Sequence, residues 1–273
     1  HKLHKLGAKV YCNPDGLEWK RSKWSAPAKM FLRYCEKCLV ENSDLAICDS
    51  VNIENYIKDT YGSRVKDTTF IAYGAYTDRS QCSEEKLTEW YHQFNIKRGS
   101  YYLIVGRFVP ENNYETMITE FMRSKTTKDL VIITNVEHNK FYEQLREKTE
   151  FEKDCRIKFV GTVYDQDLLK KIREEAYGYL HGHEVGGTNP SLLEALASTK
   201  LNLLRDVGFN KEVGEDSALY WNKDPGNLAS LLEKADALDA DTIAQLDKKS
   251  TERVKSAYSW SKIVREYESV FLR

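Results

Sequence analysis

The sequence predicts an α/β protein built from two doubly wound units, and the second half of the chain gives the clearest signal. From about residue 100, short apolar segments alternate with segments whose apolar residues recur at helical spacing. Continuous apolar strands between amphipathic helices are typical of a parallel sheet covered on both faces. Six segments predict strands, in the order "YYLIVGRF", "DLVIIT", "RIKFVGTV", "YGYLHG", "KLNLLRDV" and "SALYWN". We therefore expect residues 98–255 to form a complete doubly wound unit, the second unit.

The first part of the chain alternates in the same way but contains three predicted strands, in "AKVYCN", "DLAICDS" and "TTFIAYG". Three strands make about half of a doubly wound unit, and the sequence begins at His1 rather than Met. We expect residues 1–97 to be the C-terminal part of a first unit followed by a linker, "CSEEKLTEWYHQFNIKRGS". Residues 256–273 predict a helix with a wide apolar stripe, which we expect to pack back on the first unit.

The composition is that of a globular protein, with 41% hydrophobic and 30% charged residues in a chain of 273. A formal net charge of -1 argues against nucleic acid as a partner. Six irregularly spaced cysteines favour a reducing cytoplasm. Cys35 and Cys38 lie in a predicted helix without a second pair at zinc-site spacing, so we expect half-buried thiols there.

The most informative segment is "HGHEVGGTNPSLLEALA", residues 181–197. Pro190 suits the first position of a helix because its missing N–H costs nothing there. Asn189 is then the N-cap, and the amides of Ser191 and Leu192 are expected to be free donors. A helix N-terminus at the end of a strand predicts an anion site suited to phosphate.

The two glycines before this helix are expected to let the backbone approach a ligand closely. A tight turn that needs glycine for geometry alone is the alternative. The segment lacks the lysine of a P-loop. The residues expected to hold a diphosphate are Gly186, Gly187, Thr188, Asn189 and Ser191.

Further polar residues extend the predicted site. Glu194 lies one turn into the helix, where its carboxylate can accept hydrogen bonds from ribose hydroxyls. Arg107 follows the strand "YLIVG" and brings a fixed positive charge to the same edge of the sheet. His183 is expected to donate a hydrogen bond to sugar or phosphate, while His181 fits that role or the core. Since alternate strand residues face opposite sides, we expect no metal site there.

The C-terminal half resembles the donor-binding domain of family 4 retaining glycosyltransferases, which have the two-domain GT-B fold. The resemblance lies in "IVGRFVPENN" and "SLLEALAS". Together with "NPDGLEWKRSKW", "ICDS" and "HGHEVGGTNPSLLEA", these motifs resemble bacterial rhamnosyltransferases of capsule and cell-wall polysaccharide synthesis. The resemblance implies retaining transfer of L-rhamnose from dTDP-rhamnose to a sugar on undecaprenyl pyrophosphate. It also implies a metal-independent, cofactor-free enzyme, with an acceptor-binding first unit and a donor-binding second unit, peripheral at the inner face of the cell membrane.

The sequence departs from the broad family at two positions. That family has two glutamates seven residues apart; Glu194 matches the second, whereas Gly186 stands at the first. Asn112 replaces the lysine of the usual arginine–lysine diphosphate clamp, and we include it among the donor-binding residues. Glu184 lies two residues too early for the first glutamate and is assigned no role.

The segment "NPDGLEWKRSKW" is expected to face the acceptor. The carboxylate of Asp15 is assigned as general base or hydroxyl-positioning group, while Arg107 stabilises the leaving diphosphate. Basic side chains among tryptophans suit acceptor pyrophosphate or an anionic lipid surface, although a solvated charged loop is the alternative. The residues assigned to acceptor or membrane are Glu18, Trp19, Lys20, Arg21, Lys23 and Trp24.

Two other functions fit the same motifs. A sugar-nucleotide epimerase of GT-B architecture would use the donor without transferring its sugar. A non-catalytic subunit would bind the nucleotide sugar for a partner chain.

Overall fold

The structure is a computed structural model that describes residues 2–272 and contains two parallel sheets. His1 and Arg273, the outer ends of the predicted units, lie outside the described residues. The first sheet has the order β1-β2-β3, and the second has the order β6-β5-β4-β7-β8-β9. The strands are β1 (Tyr11–Cys12), β2 (Leu45–Cys48), β3 (Thr68–Phe70), β4 (Tyr101–Val105), β5 (Asp129–Ile133), β6 (Ile157–Phe159), β7 (Gly178–His181), β8 (Asn202–Arg205) and β9 (Leu219–Trp221).

Helices connect these strands and cover the sheets. Among the described residues they are α1 (Lys2–Lys5), α2 (Ala26–Glu41), α3 (Val51–Tyr61), α4 (Glu84–Phe94), α5 (Tyr114–Arg123), α6 (Lys140–Thr149), α7 (Gln166–Glu175), α8 (Pro190–Ser198), α9 (Gly208–Gly214), α10 (Asn227–Asp236), α11 (Ala240–Ala257) and α12 (Trp260–Phe271). The second sheet, numbered within its own unit, has the doubly wound order 3-2-1-4-5-6. The predicted α/β class is confirmed. None of the helices between residues 2 and 272 is long and apolar enough to cross a membrane.

Strand β4 is apolar throughout because helices cover both of its faces. Tyr102 and Ile104 belong to a core cluster with α5 and α10. Tyr101 and Leu103 point to the other side, as successive residues of a strand do, and pack with α4 and α7. The Tyr101 hydroxyl donates to the Ile172 carbonyl at 2.6 Å, so a polar group within this core is satisfied.

The predicted linker contains α4, which packs on the second sheet although it lies within residues 1–97. Its buried Leu87, Trp90 and Tyr91 share a cluster with Tyr101. Helix α12 instead returns to the first sheet, where Val270 packs in a cluster with Ile47 and Ile71.

Cys35 and Cys38 lie on α2, as predicted, but their burial differs. Cys38 is half-buried, whereas Cys35 is exposed. The expectation of two half-buried thiols is therefore wrong for Cys35, because α2 fully buries a single residue, Val40.

The two units touch backbone to backbone at Gly16 and Gly186. A Cβ added at Gly16 would overlap the Gly186 backbone, which cannot yield as a flexible side chain can. We predict that Gly16→Ala lowers the free energy of unfolding by about 1–3 kcal/mol, the usual cost of overpacking. Urea denaturation measures the change. The matched control is Gly106→Ala, whose Cβ would lie 3.6 Å from its nearest neighbour; an equal loss in both variants would contradict the prediction.

Candidate functional site

The candidate site lies at the centre of the second sheet, where the strand order reverses between β4 and β7. Chains leaving these two strands turn to opposite faces and open a crevice, the usual ligand site of such sheets. A cavity of about 300 Å³, the switch-point cavity, occupies this position. A recess of about 690 Å³, the large recess, adjoins it and extends to the loops after β5 and β6.

Most of the predicted donor-binding side chains line these two spaces. The switch-point cavity is lined by Arg107, Asn112, His183, Asn189 and Ser191, among others. Arg107 and Ser191 also line the large recess. Glu194 lines the large recess but not the switch-point cavity. Residues from two separate stretches of the chain, 107–112 and 183–194, therefore meet where the sequence predicts a donor site.

A hydrogen-bond chain orients His183. The Asn112 side-chain amide donates to the Arg107 carbonyl at 2.8 Å, which leaves the Asn112 Oδ1 to accept from His183 Nδ1 at 2.7 Å. Burial, and then the charges of Arg21 and Arg107, lower the pKa of His183 to about 4. The ring is thus neutral near pH 7, with its lone pair on Nε2 beside Gly186. Its predicted role as a donor is corrected: Nε2 is an acceptor, suited to a sugar hydroxyl.

His181 packs in the core and also lines the switch-point cavity. It is buried, its ring stacks on Tyr179, and burial lowers the pKa of its imidazole well below the ordinary value. Because β7 ends at His181, His183 does not continue the strand alternation, and the two rings are only 6.0 Å apart. Between residues 2 and 272, no three His, Cys, Asp or Glu side chains cluster as metal ligands would.

The start of α8 differs from the expectation in one respect. Pro190 and Asn189 take the predicted first and N-cap positions. The amides of Ser191 and Leu192 are not free, because Asn189 Oδ1 accepts from both, at 2.9 and 3.3 Å. The helix end is therefore already capped, and Arg107, which is exposed and forms no salt bridge with any described residue, is the cavity's main cationic group from this unit.

The glycines of the loop approach the first unit instead of an empty space. A Cβ at Gly187 would overlap the carboxylate of Asp49, and the Thr188 hydroxyl donates to the Asp49 carbonyl. Gly186 has a φ of 134° and lies against Gly16. These residues thus form a contact between the units, and their binding of a diphosphate stays a prediction.

Glu194 has a partner that the sequence does not predict. Arg173 on α7 is almost completely buried, and its Nη2 lies 2.6 Å from Glu194 Oε2. This pair holds the Glu194 carboxylate at the edge of the large recess. A charged residue on the apolar face of an amphipathic helix, next to Leu169 and Ile172, is the signal that could have revealed Arg173.

Asp49, at the end of β2, is a second missed residue. Its side chain is 4% exposed, and Oδ1 has no hydrogen-bond partner in the described part of the chain. Burial, followed by the negative charges of Asp15 and Glu212, raises the pKa of Asp49 to about 7. Asp15 lies in an exposed turn with a φ of 53°. A carboxylate directly after the buried strand in "ICDS" was the available signal.

Glu18 organises the segment assigned to the acceptor. Its carboxylate pairs with Arg21 Nε at 2.5 Å and with Lys23 Nζ at 2.7 Å. It also accepts from the Trp24 indole at 3.0 Å. The other contacts pair cations with rings, Lys20 over Trp19 at 5.5 Å and Lys23 over Trp24 at 4.8 Å. The segment is therefore an ordered network and not a freely solvated charge run.

Comparisons with known proteins agree with this geometry. Residues 1–76 match the model of a domain of unknown function, DUF1972. Among proteins of curated function, none matches the sequence. Solved structures superpose on 93%, 99% and 98% of this chain, which includes both sheets. The fold is GT-B.

Three solved structures illustrate the likeness. HepE from Anabaena, in complex with UDP, is 12% identical, with a TM-score of 0.79 over 98% of this chain and 73% of its own. A glycosyltransferase from Rickettsia africae is 14% identical, with a TM-score of 0.75 over 99% and 78%. Sucrose-phosphate synthase from Thermosynechococcus elongatus is 18% identical, with a TM-score of 0.74 over 93% of this chain. The chain spans 64% of that synthase.

The carboxylate of Asp49, in the GT-B cleft, gives a prediction about pH. Its folded-state pKa of about 7 exceeds the ordinary value of 3.8, so the folded protein holds a proton that the unfolded chain has lost. Stability should therefore fall by about 2–4 kcal/mol as the pH rises from 4 to 7, then level off. Asp49→Asn should reduce this fall. Urea denaturation at pH 5 and pH 8 measures it, with exposed Asp59→Asn as control; equal curves for both variants would contradict the assignment.

Proposed function

We propose that this protein is a retaining glycosyltransferase that moves L-rhamnose from dTDP-rhamnose to a sugar linked through pyrophosphate to undecaprenyl. The observation that carries the proposal is the meeting of Arg107, His183 and Glu194 around two joined cavities at the switch point. The UDP complex of HepE, which has the same fold, supports a nucleotide-diphosphate donor. The sugar and the nucleotide base rest on the motif resemblance.

The two cavities match the parts of a nucleotide sugar. The diphosphate occupies the switch-point cavity beside Arg107. The ribose lies near Glu194, and the base occupies the large recess by the loops after β5 and β6. The transferred sugar then faces the first unit, where His183 Nε2 accepts a hydrogen bond from one of its hydroxyls.

The chemistry follows from this placement. The acceptor hydroxyl oxygen bonds to the anomeric carbon as the bond from that carbon to the diphosphate breaks, on the same face. The hydroxyl proton passes to the leaving diphosphate. Arg107 stabilises the charge that develops there, the largest effect a protein contributes to such a step. Asp15 and Asp49 approach from the acceptor side and position the attacking hydroxyl. The step uses no metal.

The acceptor is proposed to lie along the Glu18 network at the membrane surface. Lys20, which has no carboxylate within salt-bridge distance among the described residues, is the cation most available to anionic lipid. Trp19 and Trp24 provide amphipathic rings suited to the interface. These features support a peripheral enzyme at the inner face of the membrane.

The reaction itself gives the decisive test. The protein is incubated with dTDP-rhamnose and N-acetylglucosaminyl- or glucosyl-pyrophosphoryl undecaprenol, and the lipids are analysed by mass spectrometry. We expect a rhamnosyl disaccharide lipid with the donor's anomeric configuration. A changed nucleotide sugar without transfer would indicate the epimerase. Tight dTDP binding without any conversion would indicate the binding subunit.

Substitutions at the donor site test its residues. Arg107→Ala should lower kcat/KM about 100-fold through the lost leaving-group contact. Glu194→Ala should lower kcat/KM about tenfold or more, mainly through KM, because the ribose loses its hydrogen bond to a charged carboxylate.

The matched control is Glu184→Ala. Glu184 lies near the same loop but pairs with Lys223 at 2.7 Å, away from the cavity lining. Its removal should leave kcat/KM within about threefold of the wild type. Equal losses of kcat/KM in the three variants would contradict the assignment of the donor site.

A further inference from the structure

The switch-point cavity needs more positive charge than the second unit provides. The diphosphate of a bound nucleotide sugar carries about two negative charges near neutral pH. Arg107 is the one lysine or arginine among the described residues that line this cavity. Asn112 is neutral, and both ends of its amide are already engaged by Arg107 and His183.

A second cation reaches this region from the first unit. The chain around Arg21 is held against the second unit on both sides. On one side, the Ser22 amide donates to Glu111 Oε1 at 2.9 Å. On the other, Gly16 packs on the backbone of Gly186. These contacts hold the Arg21 segment next to the two stretches that contribute Asn112 and His183 to the cavity, although Arg21 itself is not among the lining residues.

Part of the Arg21 guanidinium has no hydrogen-bond partner among the described residues. The side chain is only 14% exposed, although it is charged. Its Nε pairs with Glu18 at 2.5 Å, but its Nη groups donate no hydrogen bond to any described residue. Its charge acts on the buried ring of His183 alongside that of Arg107. Arg21 and Arg107 therefore place positive charge near the same side chain from opposite units.

We propose that Arg21 binds the diphosphate of the donor across the cleft and, with Arg107, forms a two-arginine clamp. This inference rests on the proposed function and moves Arg21 from the acceptor group to the donor group. Glu18 holds the Nε side of the guanidinium, which leaves the Nη groups free for a phosphate oxygen pair. A planar fork of this kind suits bidentate phosphate binding better than an ammonium group does.

The clamp links ligand binding to the contact between the units. Arg107 belongs to the second unit and Arg21 to the first, so both charges surround the diphosphate only while the two units are in contact. Lys23 provides the contrast within the same segment. It pairs with the same Glu18 carboxylate at 2.7 Å but is 53% exposed, with its ammonium over Trp24.

The test compares Arg21→Gln with Lys23→Gln by titration calorimetry with dTDP and UDP as probes. Each variant removes one cation from Glu18, so the pair controls for that loss. We expect Arg21→Gln to bind the diphosphates about 10- to 100-fold more weakly, as expected for a charge-assisted phosphate contact. Thymidine and uridine, which lack phosphate, should bind as they do to the wild type. Lys23→Gln should stay within about twofold, and Arg21→Lys should lie between.

The results separate this inference from the proposed function. Diphosphate binding that is unchanged in Arg21→Gln overturns the clamp alone. Equal losses of diphosphate affinity in Arg21→Gln and Lys23→Gln overturn the clamp as well, because both variants then act by disturbing the contacts of Glu18. If Arg21→Gln leaves the dTDP affinity unchanged but raises the KM for the lipid pyrophosphate, Arg21 binds the acceptor, and the clamp is overturned too. A wild-type protein that binds neither nucleotide overturns the proposed function together with the clamp.

Discussion

The geometry of the cleft depends on the contact between the loop at Gly186–Thr188 and the first unit. Two backbones meet there because Gly16 lacks a Cβ, which would overlap the Gly186 backbone. The Thr188 hydroxyl then bonds to the Asp49 carbonyl, and the Asp49 carboxylate fills the space beside Gly187. A larger residue at Gly16 or Gly187 would separate the units, and with them the groups that surround a donor.

This close approach determines the electrostatics of the site. His183 is buried where two arginine charges act on it, so its ring is neutral. Asn112 fixes the tautomer by accepting from Nδ1. A neutral imidazole beside two arginines divides the binding of the donor between two kinds of group. The arginines bind negative charge, while the imidazole accepts from a hydroxyl without adding charge of its own.

The sequence predicts the elements of the fold better than the contacts across the cleft. Apolar runs predict β4 and β7 because both sheet faces are covered, and Pro190 with Asn189 predicts the start of α8 because capping is local. The Arg173–Glu194 pair joins two helices, and the Asp49–Gly187 contact joins two units. The residue types around these positions mark Arg173 and Asp49 as unusual but do not specify their partners.

The buried carboxylate of Asp49 carries a free-energy cost on folding that needs a physical reason. A buried carboxylate without a hydrogen-bond partner for Oδ1 among the described residues opposes folding as soon as it ionises. An asparagine would fill the same space without that cost. The carboxylate therefore makes physical sense where a hydroxyl from outside the chain completes its hydrogen bonds. The acceptor of the proposed reaction brings its attacking hydroxyl to this side of the cleft. Its binding would satisfy Asp49 while the clamp holds the diphosphate opposite.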